Sequence, residues 1–454
     1  MKLKTTNPDT RRTAAQMHAL AAVRREIGPH DSASGRKYLR EFAQAFRRYD
    51  SVLSVEQLNS RIAAADILLI GDYHALPASQ RFATQLVEQL ASTRPVALGL
   101  EAVLSRDQRI LDAWWRREIT EAELRQRLRF DREWGYDWYP CYELLISVRD
   151  HGESIYGLDC MPRDDLRRIV SRDRHAVAKI CEMREKHPNA ALVVLFGESH
   201  MAPQHLPRVL REALPEARIL TILQNVDALY WQAIEEQAAA VSIGDDVVCV
   251  FNSSPLEKCE SYRLCFERWN GAADDLPDFA PAVYNLIFSL AKSLGFRLDS
   301  PRNGTQPKFL ADSLPEVVSV KEAASIAEEH ARAVLEERGC IYVPATNTFY
   351  IREFQMAQAA EESSRFLHHA CRGLRSQPGS LNQQVEDALA HFGSRLLCPA
   401  VGSQTGPGNK PGEALYRGYI AGQVSRTALR RTFLARFQDS AQAQRVLALM
   451  NDAR

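Results

Sequence analysis

The residues with the most chemistry to offer are two histidines in matching settings. Gly71-Asp72-Tyr73-His74 and Gly197-Glu198-Ser199-His200 each follow directly on a continuously apolar run. Glu101 stands at the end of Val96-Ala97-Leu98-Gly99-Leu100, and Asp159 at the end of Ile155-Tyr156-Gly157-Leu158. Imidazole nitrogens with carboxylate oxygens are the ligand set of zinc, manganese, iron or nickel, and equally an acid–base set for hydrolysis. His74, Glu101 and His200 are candidate metal ligands, with Glu101 and Glu198 as candidate catalytic bases. Helix caps and satisfied structural histidines use the same residue types, and Asp159 can simply cap a helix opening in Met161-Pro162-Arg163-Asp164-Asp165. His205 lies five residues beyond His200 across Pro203 and need not share a face with it.

The elements that must position these groups are legible as short apolar runs. They are 67–70, 96–100, 155–158, 192–196, 219–223 and 247–251. Runs of this length, apolar on both faces, suit strands covered by helices on either side. Phe82, Leu86 and Leu90 mark a helix crossing back over the sheet between the first two. The expected fold is α/β, a mainly parallel sheet sandwiched by helices over residues 51–272. A mostly α-helical region with a small hairpin follows over 273–454, and a basic helical arm precedes over 1–50. In a parallel sheet the carboxyl ends of the strands share one rim, where ligands bind, so all four ionisable strand ends would converge there.

The 454 residues carry 57 Lys+Arg against 57 Asp+Glu, so no net charge exists to hold nucleic acid or anionic lipid. Residues 1–50 hold eleven basic residues against five acids, which reads as a solvated helical face. No apolar run follows the basic start and no stretch of about 18 apolar residues occurs, so neither a leader nor a membrane span is expected. Nine scattered cysteines without a C-x-x-C pair fit a reducing compartment, and the expected location is cytoplasmic.

Beyond a linker-like Asn270–Pro277, helical periodicity covers 280–296, 321–338, 353–374, 381–392 and 425–450. A hairpin is expected at 340–343 and 349–351, and a flexible loop at 402–412. Helix 321–338 carries five glutamates against three cations, which excludes a DNA-reading face. Glu361/His368 and Glu362/His369 stand seven apart on one helix and read as a salt-linked face, since the i, i+3 Glu-x-x-His pair of di-iron bundles is missing. Cys160 is the one thiol beside the expected rim, and its acidic neighbours disfavour a thiolate.

The two G-x-x-H motifs, with the strand-end glutamate of V-A-L-G-L-E101 between them, resemble the ChaN-like branch of the Tiki superfamily. That superfamily groups haem-binding uptake proteins with Tiki-type metalloproteases and is linked to erythromycin esterases. Trp134-Gly-Tyr-Asp-Trp-Tyr-Pro140 is similar to the aromatic segment of ChaN proteins, and the resemblance covers about residues 60–235. It implies that His74, His200 and Glu101 are the family's site residues. Asp72 stands where the superfamily commonly has Glu, which shortens the reach of that carboxylate.

For haem the chain offers His74, His200, His205 and Tyr73 as axial donors, with Tyr136, Trp138 and Tyr139 as aromatic walls or as core packing. The first functional expectation is a protein that binds haem or a divalent transition metal (Mn, Fe or Zn) in intracellular iron or haem handling. The second is a metal-dependent esterase or peptidase-like hydrolase using the same residues. The third is an interaction protein with a vestigial pocket. The expected partner is haem or another small molecule, with no nucleic acid and no membrane span; a homodimer is compatible with each.

Overall fold

A computed structural model describes residues 11–28, 37–163, 169–270, 276–296, 314–323, 328–372, 381–399, 409–434 and 448. The chain forms two compact units. One is His30–Cys265; the other is built from Met1–Pro29 together with Phe266–Arg454. The basic amino-terminal segment is therefore shared. Helix Ala14–Ile27, which buries Ala15, Ala19, Leu20 and Val23, belongs to the helical unit. Helix Lys37–Ala45 belongs to the α/β unit.

The α/β unit is organised on eight strands: β1 (Ser51–Leu53), β2 (Ile67–Asp72), β3 (Val96–Leu104), β4 (Ser154–Asp159), β5 (Ala191–Gly197), β6 (Ile219–Gln224), β7 (Ala240–Ser242) and β8 (Val247–Val250). Their order is β1-β7-β8-β6-β2-β5-β3-β4. Every pairing is parallel except those of β7 with β1 and β8, so the expected mainly parallel sheet is present. The three-residue strands β1 and β7 are too short to show a period in the sequence.

Alternation along the strands sorts side chains to two faces. Leu68, Ile70, Leu98, Leu100, Val193 and Leu195 pack with Leu86, Leu90, Trp114, Leu144 and Val148 from the helices that follow β2 and β3. Leu69, Ala97, Leu192, Val194 and Phe196 are equally buried and face the other side. The helices after β4 and β5, Ile169–Lys186 and Leu206–Ala213, pack on each other. The connection leaving β2 moves along the sheet toward β3, and that leaving β5 moves back toward β6. Right-handed crossovers place such connections on opposite faces, so a crevice opens between the carboxyl ends of β2 and β5.

Strand β3 runs past the expected end. Glu101 lies inside it, and the register with β4 breaks between Leu100 and Leu104. The irregularity lets two carbonyls of β3 crowd β4 at Gly157. A Cβ there would stand 2.7 Å from the Leu104 carbonyl oxygen and 2.9 Å from that of Val103. Glycine is the residue that permits this approach.

The helical unit contains Ala280–Leu294, Glu329–Arg338, Met356–Arg372, Leu381–Leu397, Lys410–Ile420 and Arg426–Leu434. The hairpin is present as β10 (Cys340–Val343) and β11 (Thr348–Ile351). A third strand that the sequence pattern does not predict, β9 (Glu316–Ser319), adds in parallel to β11; four partly exposed residues carry too little pattern to reveal it. The linker 271–275, the loop 402–408 and the stretch 435–447 of the expected last helix lie outside the described residues. Among the described residues no helix is long and apolar enough to cross a membrane.

Gly157→Ala should destabilise the α/β unit by about 1–3 kcal/mol, the usual cost of forcing an atom into packed surroundings. Chemical denaturation read by tryptophan fluorescence measures this, and unchanged stability would mean that β3 and β4 yield freely at the irregularity.

Candidate functional site

The rim gathers the residues that the strand ends promised. His74 follows β2, Glu101 sits in β3, Asp159 ends β4, and Glu198 and His200 occupy the short 3-10 turn Glu198–Met201 after β5. Glu101 is buried, with its carboxylate at the centre. His74 Nε2 lies 3.5 Å from Glu101 Oε2, and His200 Nε2 3.8 Å from Oε1. The Gly197 N–H donates to Oε2 at 2.5 Å, and the Arg172 guanidinium donates to Oε1. Glycine at 197 leaves room for this approach, since a Cβ would stand 3.0 Å from Glu101 Oε2 and 3.2 Å from His74 Nε2 and press on both.

Each imidazole is backed by an aspartate. His74 Nδ1 is 2.8 Å from Asp72 Oδ2, whose other oxygen accepts from the Gln80 amide at 2.6 Å. His200 Nδ1 is 2.5 Å from Asp173 Oδ1. The shorter Asp72 is therefore long enough for its task, which is to orient His74. Such a carboxylate fixes the tautomer and points the second nitrogen into the site. His205 is set behind this layer, 3.4 Å from Asp173 Oδ2 and 3.3 Å from Glu41, with its pKa raised by hydrogen bonding to Asp173 against a smaller effect of burial.

Two arginines that the strand-end pattern does not predict bind the rim together. Arg172 donates from Nε and Nη2 to Asp159, 2.9 Å in each case, as well as to Glu101. Arg163 donates to Asp159 at 2.7 Å, to the Glu101 carbonyl at 2.7 Å and to the Glu133 carbonyl at 3.0 Å. Asp159 is fully buried and serves as the anion of this cluster; the helix opening that it was expected to cap runs into residues 164–168, which lie outside the described residues. Arg172 and Asp173 occupy the buried stripe of helix Ile169–Lys186 beside Ile169, Ala176, Val177 and Ile180. Charged residues at apolar-stripe positions were the signal that could have found them.

Burial by itself would raise the Glu101 pKa, but His74, His200, Arg172 and the Gly197 N–H outweigh it and pull it down to about 2. Burial would lower that of His74, but Glu101 and then Asp72 reverse this and raise it above 6.5. Glu198 is separate from the trio: both its oxygens accept from Lys258 Nζ, at 3.0 and 2.8 Å. Burial raises the Glu198 pKa more than Lys258 lowers it. Lys258 also lies 4.5 Å from the centre of the Tyr73 ring, and burial drives the Tyr73 pKa well up, so its phenol stays protonated.

The aromatic segment divides three ways. Trp134 and Tyr136 stand over His74, with ring centroids at 4.3 and 5.3 Å. Trp138 is not a wall: it is core, stacked on Tyr142 and edge-on to Phe130. Tyr139 points to solvent, 65% exposed. Trp134, which opens the segment and was not among the expected walls, is the nearest ring to His74; Arg163, 5.1 Å from its centre, holds it in place. Cys160 has its pKa raised by burial and then by Asp159, in keeping with an unreactive thiol. Among the described residues no group of three or more His, Cys, Asp or Glu is arranged to hold a metal ion. Arg172 places a fixed positive charge against Glu101.

Residues 58–190, less than a third of the chain, match the family model described as haem-binding uptake, Tiki superfamily, ChaN. The resemblance carried by the rim motifs is thus borne out over a segment that contains His74 and Glu101, while His200 lies just beyond it. No curated protein matches. A solved structure described as cofacial heme binding to ChaN of Campylobacter jejuni is 16% identical, covers 38% of this chain and 87% of its own, and has a TM-score of 0.29. The type III effector HopBA1 is 13% identical, covering 45% of this chain and 96% of its own at a TM-score of 0.34.

A carboxylate whose folded pKa is depressed stabilises the fold above its unfolded value and loses that contribution as the pH falls through the folded one. For Glu101 the window runs from about 4.5 down to about 2. Stability measured by denaturation across that window should fall more steeply for the wild type than for Glu101→Gln; parallel curves would contradict the pairing.

Proposed function

We propose that the α/β unit binds haem at this rim, with His74 supplying the nitrogen donor to the iron and Trp134 and Tyr136 the aromatic faces beside it. The observation that carries this reading is the setting of His74. Its Nδ1 is fixed by Asp72, its side chain keeps 21% of its surface exposed, and two aromatic rings stand over it. A nitrogen donor in an aromatic pocket is what haem iron requires. The match of residues 58–190 to a haem-binding-uptake family supports the same ligand.

The other candidate donors fit less well. His200 is 3% exposed and is held by Asp173, so it supports Glu101 from within. His205 is tied between Asp173 and Glu41, and the Tyr73 phenol lies under Lys258. Bound haem would supply an iron centre for ligand exchange or electron transfer, or would itself be the cargo. None of the nine cysteines forms a disulfide, which suits a reducing compartment, so we assign the protein to haem handling inside the cell. Hydrolysis is disfavoured because a carboxylate with a pKa of about 2 is a weak general base at neutral pH, and both oxygens of Glu198, the other candidate base, are occupied by Lys258.

Incubation with haem should give the wild type a Soret band. His74→Ala should remove it without changing the circular dichroism, and Asp72→Asn should weaken affinity about 10–100-fold, the usual cost of losing the group that orients a ligating histidine. An undiminished band in His74→Ala would overturn the assignment.

A further inference from the structure

The helical unit carries a cleft of about 550 Å³, within the range of small-molecule sites. Its walls come from the carboxyl end of helix Glu329–Arg338, one face of Met356–Arg372 and one face of Leu381–Leu397. Gln358, Glu361 and Arg365 recur at i, i+3 and i+7 on the second of these, so they share a face. Asp387 and His391 stand at i, i+4 on the third. None of the described residues that line the cleft is apolar, so a ligand held by burial of hydrocarbon has nothing to gain there. The lining is of mixed sign, which sets a simple anion or cation against as much repulsion as attraction.

The charges inside the cleft are unequally committed. Arg365 is fixed, with Nη1 2.7 Å from Asp387 and Nε 3.1 Å from Glu362. Arg338 and Glu361 approach only to 3.5 Å, with side chains 40% and 19% exposed. A loosely held guanidinium beside a loosely held carboxylate is matched by a ligand that carries a carboxylate and an ammonium group together.

We propose that this cleft binds a small zwitterion of the free amino acid or short peptide class. Arg338 receives its carboxylate, and Glu361 receives its ammonium group. The site is independent of the haem reading. Calorimetric titration of the full-length protein with L-arginine, L-glutamate and alanyl-alanine is the test, and it separates a single amino acid from a peptide as the source. At least one of the three should bind. Its N-acetylated and C-amidated forms should bind about tenfold more weakly or worse, as should the free zwitterion to Glu361→Gln and to Arg338→Met, a loss typical of one charge-assisted hydrogen bond. Thermal melting confirms that both variants stay folded. No binding by any of the three ligands would overturn the proposal, as would equal binding of the acetylated form or wild-type affinity in folded Glu361→Gln.

Discussion

A carboxylate inside a sheet is tolerable only if opposite charge and hydrogen-bond donors surround it, and in this protein that constraint falls on Glu101. Its two oxygens are divided between Arg172 and His200 on one side and the Gly197 N–H and His74 on the other. Each partner comes from a different element. Satisfying one buried charge therefore fixes the ends of β2, β3 and β5 and the start of helix Ile169–Lys186 relative to each other. The break in β3 at Glu101 belongs to the same arrangement, because it turns the carboxylate into the crevice while Gly157 accepts the crowding on β4.

From that centre the network grows outward in two directions. Toward β4, Arg172 and Arg163 share Asp159, and Arg163 continues to the Glu133 carbonyl and the Trp134 ring. The aromatic segment over His74 is thereby held by the same charges that hold Glu101. Toward β5, the path runs through His200 and Asp173 to His205 and Glu41 on helix Lys37–Ala45. Glu198 and Lys258 form a second buried pair after β5, facing Tyr73 rather than Glu101. Two carboxylates of similar promise in the sequence thus have different surroundings. One is kept ionised by Arg172, the Gly197 N–H and the two imidazoles beside it, and the other, more strongly affected by burial, has both oxygens on a single lysine.

His74, Glu101 and His200 were legible because each stands at the carboxyl end of a run apolar enough to be a buried strand, and parallel strands bring those ends to one rim. The same logic could not see Arg163, Arg172 or Asp173, which lie past the end of β4 in the connection that follows it, with no motif around them. It also could not rank the aromatic residues of Trp134–Pro140. Trp138 and Tyr139 are adjacent, yet one is core and the other solvent-facing, since helix Trp138–His151 turns successive side chains by about 100°. In the helical unit the hairpin was readable from its turn, whereas β9 exists only because β11 offers it a partner. Pairing of that kind is tertiary and leaves no local pattern.

The claim on which the site rests is that Glu101 holds the His74 imidazole by charge. Nuclear magnetic resonance titration of His74, in the wild type and in Glu101→Gln, tests it directly. The His74 pKa should lie above its ordinary value of 6.5 in the wild type and fall when the carboxylate becomes an amide. A His74 that titrates identically in both proteins would contradict it.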